Sequence, residues 1–79
     1  MVDQQKRVLV PIAEGFEEIE TVSVIDILRR AGAIVIVASI MGKDKPLALK
    51  GLRDIYVTAD AFLEDVIDGE FELIALPGG

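Results

Sequence analysis

Two β-branched, almost unbroken apolar runs, Arg7-Val8-Leu9-Val10-Pro11-Ile12-Ala13 and Ile34-Val35-Ile36-Val37-Ala38-Ser39, frame a segment of helical spacing, and this order leaves few folds open. A strand with one wet face alternates apolar and polar residues, whereas a strand covered on both faces has no need to. Both runs are of the second kind and predict a parallel sheet with layers above and below. Pro11 falls near the end of its run, where a missing amide donor costs least. In between, residues 16–31 carry Val24, Leu28 and Ala31 on one line and Ile19, Val22 and Ile25 on another, the period of an α-helix. The polar remainder of that helix is narrow, which predicts sheet on one side and another segment or subunit on the other. Arg29 and Arg30 put positive charge in its last turn, and Gly32 occupies the position just past its end. Strand, helix and strand in this order form a βαβ unit, expected to cross over with a right hand.

Residues 41–52, with Gly42, Pro46, Gly51 and several Lys and Asp, read as a loop or hairpin excursion. Residues 53–59 alternate around Ile55 and Val57 as a further strand, and Asp60 is the candidate N-cap of a short helical turn over 61–66. Glu70-Phe71-Glu72 leads into a last strand, Leu73-Ile74-Ala75-Leu76, which runs into Pro77-Gly78-Gly79. The whole predicts an α/β fold with a mostly parallel sheet, without repeats, low-complexity tracts or an interdomain linker. Seventy-nine residues make at most one small domain, and chains of this size bury only about 60% of their unfolded surface. The composition is nevertheless 52% hydrophobic, with a mean hydropathy of +0.48. That excess predicts a missing neighbour.

The chain has no cysteine and no histidine, so it offers neither a disulfide framework nor the usual zinc ligands, and neither metal nor cofactor is expected. A formal charge of −6 repels phosphate backbones and anionic membranes, which argues against nucleic acid as a partner. The apolar stretches at 8–13 and 31–41 are shorter than the roughly 20 residues of a membrane span. A soluble, cytoplasmic protein is the resulting expectation.

Ligands of open α/β sheets bind beyond the carboxyl ends of the strands, which directs attention to residues 13–16, 39 onward and 77–79. The first of these turns has one glycine and no Lys-Ser/Thr pair, and Glu17, Glu18 and Glu20 behind it suit the helix dipole but oppose a phosphate. Residues 20, 24, 27, 28 and 31 share a helix stripe, so Glu20 continues an apolar line and is the acid most suited to face inward. Partly buried near a strand end, it would stay protonated and act as a hydrogen-bond donor or proton carrier. The competing reading, commoner on spacing alone, has all three acids pointing to water. Gly78-Gly79 suits either a close approach of backbone amides to a reacting oxygen or a simple tight turn. Glu14, Glu17, Glu18 and Glu20 could gather oxygen ligands for a metal, against the simpler alternative of a solvated helix start. Arg29, Arg30 and Arg53 could clamp an anion or merely carry surface and helix-end charge.

Taken together, Lys6-Arg7-Val8-Leu9-Val10, Ala13-Glu14-Gly15-Phe16-Glu17-Glu18-Ile19-Glu20-Thr21, Asp26, Leu28-Arg29-Arg30-Ala31-Gly32 and Leu76-Pro77-Gly78-Gly79 resemble the DJ-1/PfpI (ThiJ) family, in order and over essentially the whole chain. The resemblance implies a flavodoxin-like α/β sandwich of roughly twice this length, usually dimeric, with a reactive cysteine on a strained strand-to-helix elbow. It implies that Glu20 hydrogen-bonds the cysteine sulfur and that Gly79 lends a backbone amide beside it, with Gly78, Arg30 and Arg53 at the substrate pocket and Arg53 reaching across the dimer. The activities it implies are glyoxalase III-type conversion of methylglyoxal to lactate and deglycation, with chaperone-like holding in stress response or peptidase activity as alternatives. Residues 1–79 then form the amino-terminal half of one domain. The cysteine is expected on a complementary chain or on missing sequence, and a homo-oligomer of the completed domain is expected to act on a small aldehyde.

Overall fold

A computed structural model describes residues 5–78. In chain order the elements are β1 (Arg7–Ile12), α1 (Glu18–Arg30), β2 (Ile34–Ser39), β3 (Ala48–Lys50), β4 (Tyr56–Thr58), β5 (Ala61–Phe62), α2 (Leu63–Val66) and β6 (Leu73–Ile74). Four strands form one sheet in the order β5-β2-β1-β6, and every pair in it is parallel. The α/β class and the parallel sheet expected from the two apolar runs are both present.

β1 and β2 run in register from Arg7 opposite Ile34 to Ile12 opposite Ser39. Because side chains alternate, Val8, Val10 and Ile12 share a face with Val35 and Val37, while Leu9 and Pro11 share the other with Ile36 and Ala38. Val8, Leu9 and Val10 are all buried, so β1 is covered on both faces. That is the physical reason its sequence shows no alternation. Burial of each such side chain contributes about 1.5–3 kcal/mol.

α1 packs on the Val8–Val10–Ile12 face through Ile25, with Val24 and Leu28 at the margin. It begins at Glu18, later than expected, because Phe16 is drawn into the core and the Glu17 carboxylate caps the helix by accepting the Glu20 N–H at 2.7 Å. It ends as expected: Gly32, at φ +94°, donates to the Arg29 carbonyl at 3.1 Å, and the Ala33 N–H reaches the Leu28 carbonyl at 3.0 Å. This is the paired closure of a Schellman motif, which a residue with a Cβ enters only with strain. The buried stripe is Glu18, Thr21 and Ile25, whereas Ile19 and Ile27, both assigned by spacing to apolar lines, are 74% and 63% exposed.

Two other expectations are corrected. Residues 53–59 do not form one strand: β4 covers only Tyr56–Thr58 and pairs antiparallel with β3 in a separate two-stranded ribbon. Residues 53–55 belong to the connecting turn, closed by Gly51 N–H to the Ile55 carbonyl at 2.9 Å and Asp54 N–H to the Gly51 carbonyl at 3.1 Å. Nor is Asp60 a helix cap. Its Oδ2 accepts the Val37 N–H at 2.8 Å and an Arg29 N–H at 3.2 Å, because this edge of β2 has amides to satisfy where β5 begins. The position before α2 is Phe62, without a side-chain cap.

The last strand is also shorter than the pattern suggests, although the Ala75 N–H still donates to the Leu9 carbonyl at 2.9 Å. Its neighbours Leu73, Ile74 and Leu76 are exposed. Arg7 holds the start of β6 against β1. Its backbone N–H donates to Glu72 Oε1 at 2.6 Å, its Nε to the Glu70 carbonyl at 3.0 Å, and its guanidinium lies 5.1 Å from the centre of the Phe71 ring. None of the described helices is long and apolar enough to cross a membrane.

The ribbon is tied to the core by Leu49, which is 1% exposed. Leu49→Ala is expected to cost about 2–5 kcal/mol in urea unfolding, while Ile27→Ala on the open side of α1 changes stability by no more than about 0.5 kcal/mol.

Candidate functional site

The three strand-end segments singled out by the sequence meet in one place. A cleft of about 180 Å³ opens beyond the carboxyl ends of β1, β2 and β6, lined by Pro11 and residues 13–16 after β1, Ile40 after β2, and Pro77 and Gly78 after β6. Gly15 turns the chain there at φ +85°, a conformation favoured in glycine.

Glu20 reaches this corner from the first turn of α1. Its carboxylate lies so close over Gly78 that a Cβ at that position would overlap Oε1. Any side chain on residue 78 would displace the acid, which gives the first glycine of the Pro-Gly-Gly turn a steric role beyond flexibility. The residue as a whole is exposed, so the expectation that Glu20 is the inward-facing acid of the helix is corrected. Gly79 lies outside the described residues.

The inward acid is Glu18, which is 5% exposed. Its Oε2 accepts the Arg53 N–H at 2.6 Å and the Ile55 N–H at 3.3 Å. Its Oε1, like the Thr21 hydroxyl, makes no hydrogen bond to the described residues. Spacing had placed Glu18 among the dipole-complementing acids, yet the signal for its burial was present: Glu18, Thr21, Ile25 and Leu28 form an i, i+3, i+7, i+10 stripe.

These contacts belong to a longer row. Glu14 Oε2 accepts the Lys50 N–H at 2.9 Å. The Gly15 N–H donates to the Lys50 carbonyl at 2.9 Å, and the Leu52 N–H donates to the Phe16 carbonyl at 3.0 Å. The loop after β1 is thereby stitched to the end of β3 and the following turn. The four glutamates around the helix start are divided among separate contacts, with Glu14 on Lys50, Glu17 capping the helix, Glu18 on the turn and Glu20 over Gly78. Among the described residues no three acidic side chains converge as a metal site.

The arginines are placed apart from this corner. Arg30 lies ten residues beyond Glu20 on α1, about 15 Å along the helix axis, and pairs with Asp26 at 3.1 Å. Arg53 is held through its backbone by Glu18, and its side chain is exposed. Arg29 donates to the Val35 carbonyl and to Asp60, which makes it a brace between helix and sheet.

The parallel sheet, with a cleft at its strand ends, is that of a flavodoxin-like α/β protein. The match to the DJ-1/PfpI family covers residues 6–79, and the chain belongs to that family. It is 43% identical to Protein DJ-1 homolog B of Arabidopsis thaliana over 79 residues, all of this chain and 17% of that protein. It is 41% identical to the Parkinson disease protein 7 homolog of Danio rerio over 75 residues, 94% of this chain and 38% of the relative. Among solved structures it is similar to oxidized Toxoplasma gondii DJ-1, with a TM-score of 0.87 and 44% identity over 94% of this chain and 39% of that one. Drosophila melanogaster DJ-1beta gives a TM-score of 0.87 and 38% identity over 96% and 39%. The chain thus spans less than two fifths of the length of each of these relatives.

The charge state of Glu18 follows from its surroundings. Burial pushes its carboxyl up, but the amide of Arg53, then its own backbone and the amide of Ile55, and finally the Arg53 charge together outweigh burial and hold it below its ordinary value of 4.5. Glu72 is likewise held below 4.5, chiefly by the Arg7 amide. A carboxyl depressed in the folded state stabilises the fold fully above its unfolded value, and that contribution disappears as pH falls through the folded value. Urea unfolding followed from about pH 7 to about pH 3 is therefore expected to show stability falling on the acid side of about 4.5. Glu18→Gln should start less stable at neutral pH and decline less steeply over the same range.

Proposed function

We propose that this chain forms the amino-terminal part of a DJ-1/PfpI-like cysteine-dependent site acting on small reactive aldehydes, of the glyoxalase III or deglycase type. The observation that carries this reading is the Glu20 carboxylate lying against the bare backbone of Gly78, a residue that lines the strand-end cleft. An acid held in such a corner suits proton transfer to or from a small molecule bound between it and a nucleophile. The sequence contains neither cysteine nor histidine, so in this reading the thiolate comes from polypeptide beyond residues 1–79, either continuous with it or on a complementary chain. Residues 1–79 are then the amino-terminal half of a single domain. The exposed apolar side chains of Leu73, Ile74 and Leu76 support a covering segment on the β6 side, and those of Ile19, Val22 and Ile27 support a further partner, such as a second copy, on α1.

In the proposed chemistry the thiolate adds to the aldehyde carbon and forms a hemithioacetal. Glu20 relays the proton from the hemithioacetal carbon to the neighbouring carbonyl of methylglyoxal, leaving a thioester of the 2-hydroxy acid; water then adds to that thioester, the Gly79 amide stabilising the developing oxyanion, and cleavage of the C–S bond releases lactate and restores the thiolate. Gly78 keeps the approach to the acid open. Arg53, reaching from a neighbouring copy, supplies positive charge for substrate oxygens.

The test is methylglyoxal consumption by the complete domain. Glu20→Gln is expected to lower the rate by about 10²-fold or more with the fold intact, and equal rates in the two proteins would remove Glu20 from the chemistry. A complete domain that turns over no aldehyde yet suppresses aggregation of a denatured client would favour the chaperone-like alternative.

A further inference from the structure

The first turn of α1 carries a second acid that the proposed chemistry leaves unused. Glu18 is buried, and both of its protein hydrogen bonds go to one short segment, the turn joining β3 to β4. A Cβ on Gly51 would stand 2.6 Å from its Cδ and 2.9 Å from its Cγ, so the carboxyl group is packed directly on glycine backbone. The turn's other support comes from neutral backbone bonds, Gly51 N–H to the Ile55 carbonyl, Asp54 N–H to the Gly51 carbonyl and Leu52 N–H to the Phe16 carbonyl, and from the exposed Lys50–Asp54 pair at 3.8 Å. Leu52, Arg53, Asp54 and Ile55 are all exposed, so side-chain packing does not hold it, and Asp54 sits at φ +66°, a left-handed conformation that costs a non-glycine residue free energy. A buried carboxylate accepting two amides forms charge-assisted bonds stronger than the neutral ones that close the turn. Glu18 and Glu20 are two residues apart and point to different sides of the helix. One acid therefore lies over Gly78 while the other grips the segment that bears Arg53.

We propose that Glu18 is a positioning residue whose carboxylate sets the conformation of the 51–55 turn, so that Arg53 is presented in one direction from the same helical turn that places Glu20. The inference deepens the reading above and rests on it for the part Arg53 plays in binding substrate. It also assigns a role to Gly51: the absence of a side chain there lets the carboxylate lie against the turn.

The experiment uses the complete protein that carries this chain, with methylglyoxal as the substrate probe and ¹⁵N-labelled protein for amide spectra. Glu18→Ala is expected to move the Arg53 and Ile55 amide signals and to raise KM about tenfold with kcat little changed, the effect of losing a charge-assisted hydrogen bond. Glu18→Gln keeps one acceptor oxygen and should restore most of both properties. Should Glu18→Ala fail to fold, Gly51→Ala retains the carboxylate and only pushes it off the turn, and should move the same amides and raise KM in the same way. Arg53→Ala should raise KM alike, and Glu18→Ala combined with Arg53→Ala should be no worse than Arg53→Ala alone.

Unmoved amides in Glu18→Ala and Gly51→Ala, or KM losses that multiply in the double variant, would overturn the positioning role. Arg53→Ala with an unchanged KM would instead remove Arg53 from substrate binding and bring down the reading on which the inference rests. The two failures are thus told apart by the single variant at Arg53.

Discussion

β1 is bonded on both edges and covered on both faces, and the parallel sheet and α1 are arranged around it. Its register with β2 sets which side chains face α1, and its pairing with β6 through Val8 opposite Leu73 and Leu9 opposite Ile74 carries the chain to Gly78. A strand in this position has no freedom to slip, because a shift by one residue would exchange Val8, Val10 and Ile12 for Leu9 and Pro11 on the helix side. The cleft lies where the segments that follow β1, β2 and β6 converge.

Hydrogen bonds rather than apolar packing determine what happens at that end. The loop after β1 is stitched to the end of β3 and its turn by contacts from Glu14, Gly15, Phe16 and Glu18. A group of acids that charge repulsion would drive apart is stable there because each carboxylate meets separate backbone or a separate segment. Glu17 and Glu18 each accept from amides, and such bonds satisfy polar groups that would otherwise be costly beside a core. The same arrangement directs Glu20 away from its neighbours and over Gly78.

The features legible in the sequence were those with local causes. The β-branched runs gave strands because their burial is written into continuous apolarity, and the helix stopped at Gly32 because only glycine takes that backbone conformation without strain. The strand-end loops at 13–16, 39 onward and 77–78 were found together because chain order and parallel pairing imply it. Misread features depended on distant partners. Asp60 looked like a helix cap until the Val37 amide claimed its carboxylate, and residues 53–55 looked like strand because Ile55 and Val57 alternate, with no local sign that Glu18 would bind the turn. Ile27 fits an apolar helix line as well as Val24 does, yet only Val24 packs against the core.

The sequence by itself determined the βαβ unit of β1, α1 and β2, the parallel sheet and, through the Gly-Phe-Glu-Glu-Ile-Glu and Leu-Pro-Gly-Gly pieces, the family, but not the split of residues 53–62 into a turn and two short strands. Only the tertiary structure decided which of two acids on one helical turn is buried and which lies over Gly78. The reason is rotational: residues 18 and 20 differ by about 200° around the helix, and periodicity alone leaves the phase of α1 open while its apolar face is wide. Packing of Phe16 and Ile25 with the sheet and the grip of Glu18 on the 51–55 turn set that phase, and both depend on contacts between segments far apart in the chain.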